Sequence, residues 1–433
     1  MSGALAGALL LTGCAHDAPL PLPQSAHLAP AVSALTQAPV GTAPLGVDQV
    51  AALALANNPE LQAIRAKHGI AQAELLQAGI LPNPSLTGAF LPLLSGVGVV
   101  PAWNFGLSQD IKSLIVYRSK IRAARDTAHQ VDADILWQEW QVAGQARQLA
   151  ADLILGQRAR ASYEAAWRLL RDRNAKAEAA LAAGNLTLVI VAPGRVSLQT
   201  ARAALDALDQ RLLAQRHQLN ALLGLAPDVA VPLADRIDLP PFDPAAILAS
   251  LPTLPDRRPD LLALRMGYAQ ADEQVRQGIL SQFPDLVLGG SVSSDNSRVI
   301  NGGPNATLGL PIFDRKQGTI GIANATRAQL HADYTARLKA ATGQVQAMVS
   351  EMAQLSAQLA VLQRDLPAAR LAADRAANAF GASTLDERGY IDLLSNRFAK
   401  EQDIMTLELA LLDRQIALQT LVGAGLPSAE IAQ

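Results

Sequence analysis

Side chains able to do chemistry are few in this 433-residue chain, and they are scattered. Six histidines (His16, His27, His68, His129, His217 and His331) include no two at the spacing that puts a metal-binding pair on one helical face. Met348 and Met352 are four apart and share a helical face, but with no histidine or cysteine nearby they read as packing. No phosphate-cradling loop, nucleophile elbow or dinucleotide fingerprint occurs. Gly289-Gly290 and Gly302-Gly303 read as turn or barrel glycines. The acidic pairs Asp132/Asp134 and Asp386/Glu387 read as helix or turn surface, without an apolar pocket to shift their pKa. The expectation is a protein that is not an enzyme, with no catalytic residue, no metal ligand and no cofactor apart from any covalent lipid.

Composition narrows the class. The chain carries 36 Lys+Arg against 38 Asp+Glu, a net charge of -2, which lacks the basic excess that nucleic acid demands. Half the residues are hydrophobic, 4% aromatic and 17% charged, which argues against disorder and for long helices packed on one another. No apolar run is long enough for a transmembrane helix. The one cysteine, Cys14, rules out an internal disulfide. It closes the apolar leader MSGALAGALLLTGC, and Leu11-Thr12-Gly13-Cys14 resembles the bacterial lipoprotein box. There the leader, here residues 1–13, is removed and Cys14 becomes a lipidated (palmitate-bearing) N-terminus. Residues 14–44, rich in Pro and Ala, read as an extended tether.

The remaining text is written twice. Pro59, Glu60, Leu61, Ala63 and Arg65 reappear as Pro259, Asp260, Leu261, Ala263 and Arg265, and Pro84 and Leu86 as Pro284 and Leu286. That period is far too long for a solenoid unit, so it marks two domain-sized halves, 45–225 and 259–427, joined by a Pro-rich strap at 226–258 and followed by a tail at 428–433. Each half predicts a helix opened by proline (Pro59 to Ile80; Pro259 to Gln282) and a β-hairpin (85–110; 285–313). A very long helix (112–183; 317–380) and a return helix (186–224; 385–423) follow. In the second hairpin the strands are expected at Asp285 to Ser293 and Asn305 to Phe313, turning at Asn301-Gly302-Gly303-Pro304. The long helices would reach about 100 Å.

Four strands of this length can cross a tilted bilayer path, yet an open four-stranded sheet cannot sit in lipid with unpaired edges. Several copies must then close one wall; three would supply 12 strands, and a cyclic trimer is an ordinary closed symmetry. Phe90, Trp103 and Phe105 suit an interfacial aromatic belt or a core. The fold class expected is mainly α with a small membrane β part: long helical hairpins forming a trimeric 12-helix tunnel beneath a shared 12-stranded barrel.

This doubled layout resembles the TolC-type outer-membrane efflux-channel family. The resemblance is carried by Asn58-Pro59-Glu60-Leu61, Leu81-Pro82-Asn83-Pro84, Arg257-Arg258-Pro259-Asp260-Leu261 and Leu310-Pro311-Ile312-Phe313-Asp314-Arg315-Lys316-Gln317-Gly318. It implies a homotrimer in the bacterial outer membrane, lipid-anchored and reaching into the periplasm. Its partners would be a periplasmic membrane-fusion adaptor and an inner-membrane proton-driven pump of the RND type. Phe313 to Gly318 most resembles the branch serving heavy-metal exporters; a multidrug channel is the alternative, and a periplasmic lipoprotein adaptor or helical scaffold a further one. In the family the tunnel narrows at its periplasmic tip, where acidic side chains form a ring. The resemblance puts Asp392 on a ring position and Arg388 on a basic position that helps hold the tip closed. The plainer alternative is two solvated residues one helical turn apart.

Overall fold

The structure, a computed structural model, describes residues 18–37, 43–239 and 242–426. Cys14, the leader at 1–13 and the tail at 428–433 lie outside the described residues. The first half runs α1 (Val47–Asn57), α2 (Pro59–Ala78), β1 (Ser85–Leu91), β2 (Ala102–Asp110), α3 (Lys112–Ala182) and α4 (Leu188–Leu223). The strap carries α5 (Pro244–Ala249) and α6 (Leu254–Arg257). The second half runs α7 (Pro259–Leu280), β3 (Asp285–Ser294), β4 (Ile300–Gly309), α8 (Gln317–Gly381) and α9 (Glu387–Val422). At 1.5 Å per residue, α3 and α8 are each about 100 Å long.

The repeat is visible at the helix ends. Proline opens both α2 and α7, where its missing N–H would be unpaired in any case. Asn58 Oδ1 caps α2 by accepting from Leu61 N at 2.8 Å, and its Nδ2 donates to Leu222 O at 2.9 Å, tying α2 to the end of α4. In the second half the cap position holds Arg258. Its guanidinium forks onto Asp260 at 3.0 and 2.7 Å, buried beneath the Trp137 ring. α4 and α9 stop at Gly224 and Gly423, both left-handed, with φ of 72° and 73°.

Three features depart from the sequence reading. Helix α1 was not expected: Asn58 both ends α1 and caps α2, so two helices meet with no intervening loop signal. Part of the expected tether is packed rather than free. Ala29 exchanges backbone bonds with Gly224 and Ala226 at 3.0 Å, and Leu35 is buried in the main core. The last strand starts five residues before the expected Asn305. The turn is 295–299, where Asp295 Oδ1 accepts from Ser297 N at 2.7 Å and Val299 N at 3.0 Å. Asn301 to Pro304 are strand, with Pro304 standing opposite Gly290 of β3.

The main core sits where the strap crosses the helices. Leu45, Val50 and Leu53 meet Ala146 and Ala150 of α3, and Leu219 and Leu223 of α4 close the cluster. Leu45 also pairs with the strap, donating to Pro232 O at 2.7 Å and accepting from Ala234 N at 2.9 Å. The buried face of α3 is largely alanine, which lets five neighbours (α1, α2, α4, α7 and α9) approach it closely. Its counterpart α8 is treated differently. α3 buries 18 of its 71 residues, whereas α8 buries 6 of 65 and packs mainly on α7 and α9. No helix among the described residues is long and apolar enough to cross a membrane.

Candidate functional site: a two-faced sheet and a helical tip

The four strands form one antiparallel sheet in the order β1-β2-β3-β4, so the two halves meet through β2 and β3. Register fixes the faces, because directly paired residues lie on the same side and alternate along each strand. One face collects Leu86, Phe90, Trp103, Phe105, Leu107, Leu286, Leu288, Val292, Ile300 and Leu308. The other collects Ser85, Thr87, Asn104, Ser108, Ser291, Ser293, Asn301, Asn305 and Thr307. Among the described residues no other element covers the apolar face: Leu86 is 76% exposed, Phe90 68% and Ile300 68%. In water such a face would be a hydrophobic patch demanding cover; in a bilayer it is the ordinary outer surface of a β-wall. Trp103 and Phe105 pack on each other with centroids 5.7 Å apart, and the Phe105 ring lies over Gly88, filling the place of its missing side chain.

Among the described residues, neither edge, β1 or β4, has a second partner strand. In lipid each unpaired edge N–H and C=O would cost several kcal/mol, so other strands must cover them.

At the opposite end, α8 turns into α9. Asp386 Oδ1 caps α9 by accepting from Gly389 N at 2.9 Å. Glu387 is buried and ion-paired to Arg173 of α3, whose guanidinium lies 4.1 Å from the centre of the Phe380 ring and 5.3 Å from that of Tyr390. The expectation of a surface acidic pair at 386–387 holds for Asp386, an exposed cap, and is corrected for Glu387, which is an internal ion-pair partner. Its signal was invisible locally, since Arg173 lies 214 residues away. Asp134 is exposed as expected, but partial desolvation by its surroundings raises its carboxyl above the ordinary aspartate range. Asp132 Oδ1 accepts from His68 Nδ1 at 2.6 Å on the surface.

Arg388 and Asp392 stand in the first turns of α9, 3.9 Å apart and largely exposed. Within one copy they form a solvated pair one helical turn apart, on the face opposite Tyr390, Ile391 and Leu394, which are buried. In the matching turn of the first half, Leu188 and Val189 are exposed and apolar, and α4 continues through Pro193. Among the described residues, no group of three or more His, Cys, Asp and Glu side chains could hold a metal ion.

Residues 251–424, the end of the strap and nearly all of the second repeat, match the family described as Outer membrane efflux protein. No curated protein matches the chain by sequence. Solved structures of similar fold include CusC, described for changes accompanying folding and transmembrane channel formation (19% identity, TM-score 0.70, covering 90% of this chain and 99% of that one). The Campylobacter jejuni CmeC outer membrane channel aligns at 16% identity with TM-score 0.74, covering 96% of each chain. A Pseudomonas aeruginosa membrane protein aligns at 18% and 0.74, covering 89% and 92%. At these identities the likeness establishes the fold: a mainly helical chain with a small antiparallel β part, shared with outer membrane channels.

Proposed function

We propose that this chain is the outer-membrane exit channel of a tripartite efflux system, a passive conduit that carries out no reaction. The carrying observation is the sheet: one apolar face left exposed, one polar face, and two open edges, mounted on helices about 100 Å long. Three copies would pair β4 of one with β1 of the next and close a 12-stranded wall, polar inside and apolar outside. The thinly buried α8 would find its cover in the neighbouring copy. The efflux-protein match over 251–424 and the fold shared with outer membrane channels support this reading.

On the same reading Cys14 carries the N-terminal lipid, and the α3–α4 and α8–α9 turns face a periplasmic adaptor that links the channel to an inner-membrane pump. Asp392 from three copies would converge at the tip, where a narrow ring of carboxylates favours cations, with Arg388 holding it closed. The cargo we favour is heavy-metal cations, on the strength of Phe313-Asp314-Arg315-Lys316-Gln317-Gly318. Drug export is the alternative. Heat-sensitive trimer migration on a gel and conductance in a planar bilayer test the conduit. Deletion followed by growth on zinc, cobalt, copper and drugs tests the cargo, and sensitivity to drugs alone would reject the metal reading.

A further inference from the structure

Where the two halves meet, α3, α4 and α9 pack together around an unusual pair of acids. Asp152 of α3 is 7% exposed. Its Oδ2 accepts from Gln215 Nε2 of α4 at 2.6 Å, and Arg211 Nη2 stands 3.9 Å away on a half-exposed side chain. Its Oδ1 is buried and meets no donor; Asp413 Oδ1, on α9, is in the same condition. The two carboxyl groups lie within hydrogen-bonding reach of each other. Two carboxylates offer only acceptors, so such a contact forms only if one of them carries a proton.

We infer that Asp152 and Asp413 are a proton-binding site joining the two halves: one shared proton fastens α9 to α3 and α4, and its release loosens that junction. One shared proton gives the two neighbouring carboxyls the hydrogen bond that two ionised carboxylates cannot form. Burial first, and the neighbouring Asp413 next, push Asp152 up to about 7, with Arg211 opposing. Arg211 of α4 is the charged group besides Asp413 that acts on Asp152, and Arg158 and Tyr163 of α3 and Glu408 of α9 line the hollow beside it, with Arg236 of the strap lining the adjoining one. A cavity of about 220 Å³ beside Asp152, lined by Gly156, Leu212 and Met405 among others, gives α9 room to shift.

The sign follows from linkage. The folded pKa lies above the free aspartate value, so the folded state binds the extra proton between those two values. The junction is then tightest at acid pH and weakens as pH rises through about 7. Since α9 also carries Arg388 and Asp392, acidity would bias the tip as well, a corollary that rests on the export reading; the proton site does not.

Difference infrared spectroscopy of the full chain in detergent, with carbon-13-labelled aspartate, tests this between about pH 6 and pH 8. The expected result is a protonated carboxylic-acid carbonyl band that disappears on raising the pH and is missing from Asp413→Asn. Amides of α9 around Ile404 to Ile416 should exchange faster at the higher pH after correction for intrinsic rate, and at a pH-independent rate in Asp413→Asn. Arg211→Gln, which leaves both acids in place, should move the wild-type transition to higher pH. Absence of the acid band, its survival in Asp413→Asn, or a transition that Arg211→Gln leaves in place would each overturn the site.

Discussion

At the scale of single residues, the duplicated sequence offers paired sites with different surroundings, so each half serves as a control for the other. Gly224 and Gly423 end equivalent helices at nearly the same left-handed φ. A Cβ on Gly224 would meet nothing nearer than 3.5 Å, whereas one on Gly423 would fall 2.2 Å from the Trp140 ring. Gly224→Ala should therefore cost only the backbone term, about 1 kcal/mol, while Gly423→Ala should add a clash with a large buried ring and cost about 3 kcal/mol or more. Thermal unfolding of the two variants checks the order; equal losses would mean that Trp140 moves freely. The buried Arg173–Glu387 pair makes a second case. Glu387→Ala leaves the guanidinium without its anion and should cost about 3 kcal/mol, with faster amide exchange confined to the first turns of α9. Arg388→Ala, which removes an exposed partner, should change stability by less than about 0.5 kcal/mol.

At the scale of elements, the sheet's two faces make opposite demands on the same substitution. Leu107→Arg places a charge on the exposed apolar face, and Ser108→Arg places it one residue further on the polar face. If lipid covers the first face, Leu107→Arg should destabilise the membrane-inserted state by about 2–4 kcal/mol and deplete the outer-membrane fraction. Ser108→Arg should remain in that fraction. Equal behaviour would place both faces in the same solvent. The elements also show where sequence patterns carry information. β1 and β2 follow from apolar alternation flanked by glycine and proline, and the long helices from uninterrupted three- and four-residue periodicity. β4 was misplaced because Gly302, Gly303 and Pro304 are turn residues by composition, while the true turn is made by Asp295 folding back on its own backbone. Helix α1 escaped because its end and the next beginning share Asn58. The tip ion pair and the Asp152–Asp413 contact were illegible for a different reason. Their partners come from different helices, and nothing in local periodicity sets which faces of three helices converge.

At the scale of the whole molecule, one copy is an unfinished object. Its sheet stops at two open edges, and α8 remains mostly uncovered although its counterpart α3 is surrounded. If identical copies finish it, β4 of one must run beside β1 of the next, antiparallel, with lumen-facing residues adjacent. Thr87 on β1 and Asn305 and Thr307 on β4 share the polar face. Cysteines at Thr87 together with Asn305 or Thr307 sample two same-face registers, since same-face neighbours recur every second residue. Oxidation of at least one pair in membranes should yield covalent species of two and three chains and none larger, because a closed ring of three has no free edge left. Each single cysteine should yield none of these, and Cys14 supplies an internal check, being blocked if it carries lipid and a source of background dimers if it does not. A ladder continuing beyond three would indicate an open assembly or a larger ring. Monomers alone, with every pair oxidisable in the denatured chain, would mean that something other than a second copy covers the edges.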